Sequence, residues 1–287
     1  MKEPFVRPFL TQDIDLAYEM DAAEKWDHTR KDIERIFSYE PSGCFVAEVN
    51  GRSVGHVSSI SYGRLGWIGM LIVKPEYRRR GIGTLLTKRA LAYLSERKVR
   101  TTKLEAVPEI AGLYRKLGFR EEFRSLRFVR HCEQAISIPN GRVEPLNERE
   151  IKMLAEFDAG YFGVNRYLVL NELHRCNPHL CFVSHKKSKI TGYIMCCKSK
   201  SGYRIGPWVC ESKDQEIAKR LLARVIMEIG HTVKSYVGAP AINTTATTIL
   251  QSLRFRQYSS SIRMRMGKKL GTECVSGILA IGGPEKG

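Results

Sequence analysis

Residues Lys74 to Leu94 read KPEYRRRGIGTLLTKRALAYL, three consecutive arginines running through Gly-x-Gly into a helical pattern. Ile82, Leu85, Leu86, Ala90, Tyr93 and Leu94 form an apolar stripe that only Arg89 interrupts, the i, i+3, i+4, i+7 spacing of an amphipathic helix. A helix start presents unpaired N–H groups and the positive end of the dipole, which together attract an anion. Gly81 and Gly83, lacking Cβ atoms, let the backbone approach such a ligand, and Arg78, Arg79 and Arg80 add fixed positive charge. The chemistry of these residues is phosphate capture, although Gly-x-Gly by itself fits a solvated basic turn equally well. A dinucleotide fingerprint needs a third glycine where Leu86 stands, and no Gly-Lys-Ser/Thr follows to make a Walker loop.

The elements that must position this loop are legible around it. CFVAEVNGRSVGHVSSI reads as a hairpin turning at Asn50-Gly51, and WIGMLIV is the strand that feeds the loop. After the helix come a strand KLEAV, a short helix AGLYRKL and a last strand near SLRFVRH. Strands and helices alternating in this way predict an α/β layered domain with a mixed sheet.

The pattern occurs twice. At a shift of 137, Pro8 falls on Pro145, Asp21 on Asp158, Cys44-Phe45-Val46 on Cys181-Phe182-Val183, and Ile68-Gly69 on Ile205-Gly206. At a shift of 136, Leu117 meets Leu253, Phe119-Arg120 meets Phe255-Arg256, and Arg127 meets Arg263. The expectation is two copies of one fold, 1–138 and 139–270, joined near Pro139-Asn140-Gly141 and followed by a tail, 271–287. In the second copy the loop position reads Gln215-Glu216-Ile217-Ala218-Lys219-Arg220 without glycine, and Leu250 stands where the first copy has Tyr114. One anion site per chain is expected.

A chain of 287 residues with 43% hydrophobic residues and mixed charge is long enough for two cores. Its formal charge of +17 favours anionic partners. No zinc-finger spacing, RRM-like aromatic signature or long basic block accompanies that charge, so nucleic acid is not the favoured partner. The eight cysteines include no CxxC pair, and their places in apolar runs suit buried, reduced thiols in a cytoplasmic protein. No segment approaches the roughly 20 apolar residues of a membrane span. His174, Cys176, His179 and Cys181 cluster in sequence, but their spacing matches no common zinc pattern, and no metal site is expected.

Arg78-Arg79-Arg80-Gly81-Ile82-Gly83 resembles the Q/R-x-x-G-x-G/A pyrophosphate loop of the GNAT N-acetyltransferase superfamily, and LYRKLGF, Leu113 to Phe119, resembles the family's second motif. The resemblance covers about residues 4–131, and the second half looks like a diverged copy, as in two-domain GNAT proteins. It implies two GNAT-like domains, each a mostly antiparallel mixed sheet flanked by helices, and acetyl-CoA as the ligand of the first. The backbone of Leu71, Ile72 and Val73 would pair with the pantetheine arm. N–H groups from Arg79 to Thr84, with Ile82 among them, would hold the pyrophosphate. Tyr114 would protonate the departing thiolate.

An amine acceptor, with a pKa of about 10.4 when lysine-like, must lose a proton before it attacks. Where protein-lysine acetylating relatives place a glutamate, this chain has Trp67. Glu105 is therefore the first candidate base, ahead of Glu109 and His56. Asp158 and Arg166, within DAGYFGVNR, are assigned to hold a charged acceptor, with Tyr161, Phe162, Trp208 and Trp26 shaping its pocket; a helix cap, an ion pair and core aromatics are the structural alternative. The resemblance implies an acetyl-CoA-dependent N-acetyltransferase acting on a small amine or amino-acid-like molecule. An amino-acid N-acyltransferase using longer acyl-CoA is the near alternative, and a non-catalytic CoA-sensing or nucleic-acid-binding protein the distant one.

Overall fold

The computed structural model describes residues 3–131, 133–136, 141–211 and 214–287. Cys132 and the Pro139-Asn140 part of the expected join lie outside the described residues. The chain divides into two compact units: Met1–Glu121 with Met264–Lys269 and Pro284–Gly287, and Glu122–Arg263 with Leu270–Gly283.

In the first unit, β1 (Phe5–Pro8) leads into α1 (Ile14–Ala23) and α2 (Arg30–Ser38), followed by β2 (Phe45–Val49), β3 (Arg52–Tyr62), β4 (Leu65–Val73), α3 (Ile82–Glu96), β5 (Thr101–Ala106) and α4 (Ala111–Lys116). β1 to β4 pair antiparallel in sequence order, and β5 joins β4 in parallel. The β2–β3 turn carries Asn50 at φ +50 and Gly51 at φ +73, the left-handed pair expected of Asn-Gly. α2 starts on a reciprocal cap: Thr29 Oγ1 accepts from Asp32 N, and the Asp32 carboxylate accepts from Thr29 N. That cap fixes the exit of the 24–29 loop. Leu86, Ala90 and Leu94 of α3 are buried, and Arg89, which breaks the stripe, lies over the Phe45 ring at 4.3 Å. Ala17, Ile33, Ile36, Phe37, Cys44 and Met70 form a separate core beneath α1 and α2.

The second unit contains most of β6 (Arg120–Arg130), then β7 (Glu144–Pro145), α5 (Ile151–Phe162), α6 (Tyr167–Cys176), β8 (Cys181–Lys186), β9 (Lys189–Lys198), β10 (Tyr203–Cys210), α7 (Gln215–Ile229), β11 (Ser235–Pro240), α8 (Thr244–Ser252), most of β12 (Arg256–Gly267) and β13 (Ile278–Ala280). β7 to β10 repeat the antiparallel order, and β11 joins β10 in parallel. The last strand of the first sequence copy, β6, pairs with β11 from Ser125↔Pro240 to Arg130↔Ser235. Compact units and sequence copies therefore part at Glu121/Glu122, ahead of the join expected near 139–141. Among the described residues β13 has no counterpart in the first copy, and it pairs antiparallel with β10. Among the described residues no helix is long and apolar enough to cross a membrane.

Candidate active site

β4 is the element from which the site is built. Its register with β3 breaks between His56 and Ser58, opposite Met70, which holds φ +50. A bulge of this kind re-aims backbone groups. On the other side, β4 pairs with β5 only from Leu65↔Thr101 to Ile68↔Leu104. Beyond those pairs β4 continues to Val73 without a β5 partner among the described residues, and Leu71, Ile72 and Val73 lie in that stretch.

The loop at residues 74–81 turns from β4 into α3. Arg79 at φ +59 and Gly81 at φ +79 are both left-handed. Gly81 is the N-cap of α3, a 15-residue helix, and offers its first N–H groups no side-chain hydrogen bond. A Cβ on Gly81 would meet nothing within 4 Å. Glycine is thus favoured by φ, while the space that a side chain would take is open. Arg79 and Arg80 are exposed. Arg78 is exposed too, but engaged: its Nε donates to the Val73 carbonyl at 2.8 Å and its guanidinium pairs with Glu24. Arg78 thereby ties the strand end to α1.

Tyr114 sits on α4, buried and edge-on to Phe119 at 5.8 Å. Burial pushes its phenol up, so the hydroxyl keeps its proton throughout the neutral range. Glu105 is half-buried on β5, just past the last paired residue, and Glu109 is exposed. His56 is fully buried; burial pushes its imidazole down to about 4, against the Met70 backbone and the Asp13 charge. It is neutral and faces Phe37 at 5.6 Å.

Near the bulge the first unit holds a charged cluster that the sequence reading did not assemble. Asp21 Oδ1 lies 2.7 Å from His28 Nδ1, both side chains buried. His28 Nε2 faces Glu285 Oε2 at 3.8 Å, and Glu285 Oε1 pairs with the Lys286 ammonium. Trp26 stands edge-on to His28 at 6.3 Å. The Pro284–Gly287 segment is fastened across β4: Trp67 Nε1 donates to the Pro284 carbonyl and the Tyr62 hydroxyl to the Lys286 carbonyl, each at 2.9 Å. A Cβ on Gly69 would lie 2.6 Å from Glu285 Cα, so only glycine lets this segment pass one residue from the bulge. Asp21 had left a trace as the partner of Asp158 in the repeat. Nothing in the sequence connected His28 to Glu285.

The same places in the second unit are filled by the chain. β10 and β11 pair from Tyr203↔Ser235 to Ile205↔Val237. Where they part, β13 enters, with Trp208↔Ala280 and Val209↔Ile278, and Ile281 N donates to the Gly238 carbonyl at 2.9 Å. Only residues 211–214 separate β10 from α7, and the Asp214 carboxylate caps the helix by accepting from Ile217 N at 3.0 Å. The sequence reading set Gln215–Arg220 against the arginine-glycine loop; in the structure Gln215 already begins the helix, because the loop is shortened rather than substituted. Leu250 is core.

Asp158 and Arg166 come together as a buried bidentate pair at 2.8 and 3.0 Å, joined by the Tyr193 hydroxyl, with the guanidinium over Phe162 at 4.0 Å. Trp208 is in the core of the second unit. Asp158, Arg166 and Tyr193 satisfy one another, and burial and a neighbouring Glu211 push up the Tyr161 phenol. His174 Nε2 contacts the Leu146 carbonyl at 2.9 Å, and the Cys181 thiol donates to Asn177 O.

Comparison with known proteins agrees with this architecture. The Acetyltransferase (GNAT) family matches residues 9–119 and an Acetyltransferase (GNAT) domain matches 154–273. The chain is 26% identical to the holothin acyltransferase of Pseudoalteromonas sp., over 92% of this chain and 88% of that protein. It is 26% identical to a putative acetyltransferase structure from Pyrococcus horikoshii, with a TM-score of 0.85 covering 100% of this chain and 97% of that one. A tandem GNAT protein from the clavulanic acid biosynthesis pathway shares the fold, with a TM-score of 0.64 at 14% identity over 92% of this chain and 98% of that one. With two successive GNAT matches on a repeated strand and helix order, the chain belongs to the GNAT acetyltransferase family as a tandem acyltransferase enzyme.

Proposed function

We propose that the first unit binds an acyl-CoA, acetyl-CoA foremost, and transfers its acyl group to the nitrogen of a small amine or amino-acid-like acceptor. The observation that carries this reading is the contrast between the units: β4 and β5 part beside a bulge and lead to an uncapped, glycine-led helix, whereas the matching places in the second unit hold β13 and Asp214. The N–H groups at the start of α3 hold the pyrophosphate, Arg79 and Arg80 neutralise it, and the backbone of 71–73 orients the arm. The donor supplies a thioester whose carbonyl carbon accepts the amine. Tyr114, kept neutral by burial, gives its hydroxyl proton to the departing sulfur. The described cysteines are free thiols, which suits a cytoplasmic enzyme. The acyltransferase name of the holothin relative favours a second reading, a longer acyl chain on the same donor.

The test is thermal unfolding with and without acetyl-CoA, wild type against Gly81→Glu, together with thiol release over a panel of amines and acyl chain lengths. A donor at about 100 times its Kd adds about 2.7 kcal/mol, a shift of several degrees in wild type that the variant loses. No shift in wild type with any acyl-CoA overturns the reading.

A further inference from the structure

We propose that one end of the first unit is a docking surface for duplex nucleic acid, held by its phosphates with no reading of the bases. This stands independently of the donor reading above. Three stretches of chain meet at that end. The β3–β4 turn carries Arg64, the turn from α3 to β5 carries Arg97, Lys98 and Arg100, and the stretch after β12, part of the same unit, carries Lys268 and Lys269; all six side chains are exposed. Backbone bonds gather them around Thr101. The Arg64 carbonyl accepts from Arg100 N at 3.0 Å and from Thr101 N at 3.2 Å, and the Lys268 carbonyl accepts from Thr101 Oγ1 at 2.5 Å. Gly267, at φ +89, passes so near that a Cβ on it would lie 2.2 Å from the Arg100 carbonyl oxygen.

The chain leaves most of this charge without a counterpart. Arg97 is engaged, lying over the Tyr93 ring at 5.1 Å and 3.9 Å from Glu40, and Glu96 pairs with Arg89. Arg64, Lys98, Arg100, Lys268 and Lys269 have no ion pair among the described residues. The carboxyl end of α3 favours a cation within its last turn only, which accounts for Lys98 and not for the rest. Like charges gathered within a Debye length of about 10 Å repel one another, and the fold does not need them. In the second unit the corresponding turns, 199–202 and 230–234, close through Tyr203 N on the Lys234 carbonyl at 2.9 Å with one lysine each, Lys200 and Lys234.

What the surface lacks selects the partner. None of the exposed large apolar side chains lies on these three stretches, whereas a protein interface is anchored by aromatic and apolar groups and a stable membrane contact adds an apolar face or an acyl chain to its charge. Exposed arginine and lysine alone suit a run of phosphates, and such contacts position a duplex without carrying sequence information. The donor loop is a separate place. It precedes α3 while this surface follows it, and a helix of 15 residues is about 22 Å long.

Fluorescence anisotropy of the whole protein with labelled DNA duplexes of about 20 base pairs, in two unrelated sequences, is the test. With about four phosphates engaged, affinity is expected to fall about 100-fold between roughly 50 and 200 mM salt, alike for both sequences. The variant combining Arg64→Ser, Arg100→Ser and Lys268→Ser is expected to bind at least about tenfold more weakly at low salt, its salt slope reduced by about one per cation removed, with Tm unchanged. A second variant, Lys268→Gln with Lys269→Gln, leaves the other two turns untouched and is expected to lower the slope by about two. Arg79→Ser with Arg80→Ser, and saturating acetyl-CoA, are both expected to leave the duplex bound. A wild type that binds neither duplex at low salt overturns the proposal, as do variants of the surface that bind like wild type. Displacement by acetyl-CoA, or loss in the Arg79 and Arg80 variant, would put the duplex on the donor loop and overturn it as well. Phosphatidylserine vesicles that hold the wild type more tightly than the duplexes do, through the same cations, would replace nucleic acid with a membrane.

Discussion

The Asp214 carboxylate accepts from Ile217 N at 3.0 Å at the start of α7, the place where α3 begins on Gly81 with no side-chain cap. One helix starts on a carboxylate cap and the other on a glycine that supplies none. Asp214→Ala removes a cap worth about 1 kcal/mol and is expected to lower the urea midpoint accordingly, leaving the acetyl-CoA shift of the first unit unchanged. A lost donor shift in this variant would contradict the assignment of one donor site per chain.

Tyr114→Phe is expected to reduce kcat by about 100-fold, the lower range for a positioned acid, with the donor KM held. Because burial raises the phenol, the wild-type rate should show no fall attributable to Tyr114 below pH 10. For stability the sign follows: the folded state keeps a proton that the unfolded chain releases above about pH 10, so Tyr114 withdraws stability as pH rises past that point. Rate profiles and denaturation of both proteins check the two statements.

His56 gives the opposite pH window. Its folded value of about 4 lies below the ordinary 6.5, so the unfolded chain binds the extra proton as pH falls through that range. The contribution is complete above pH 6.5 and is lost toward pH 4, on the order of 3 kcal/mol for a fully buried ring. Urea denaturation from pH 7.5 to 4 should show this slope in wild type and lack it in His56→Phe.

Arg166→Met leaves Asp158 buried without its bidentate partner and is expected to cost roughly 3–5 kcal/mol. The amine KM of the folded enzyme should stay within twofold, since Arg166 is already committed to Asp158. A large rise in KM would return Arg166 to the acceptor site.

Gly69→Ala puts a methyl against the Glu285 backbone at 2.6 Å. Overpacking of this kind costs about 1–3 kcal/mol. Hydrogen exchange should show Pro284–Gly287 losing protection before the rest of the first unit; uniform protection would mean that the segment has another hold.

The arginine-glycine loop, the helix after it and the place of Tyr114 on a short helix were legible in the sequence because each rests on local chemistry: glycine where φ is positive, arginines beside a helix start, a motif on one short helix. The repeat was legible because equivalent core strands keep equivalent residues. Local pattern could not show that β6 pairs with β11 or that β13 enters the gap beside β10, since a strand's edge says nothing of its partner. It left Asp158 and Arg166 between an acceptor pair and an ion pair, and only the tertiary structure shows them joined to each other in a buried ion pair. The sequence by itself determined two copies of one fold and a single arginine-glycine loop ahead of a helix. Tertiary structure decided which distant side chains meet, because Asp21, His28 and Glu285 come together only when a segment remote in the chain crosses Gly69.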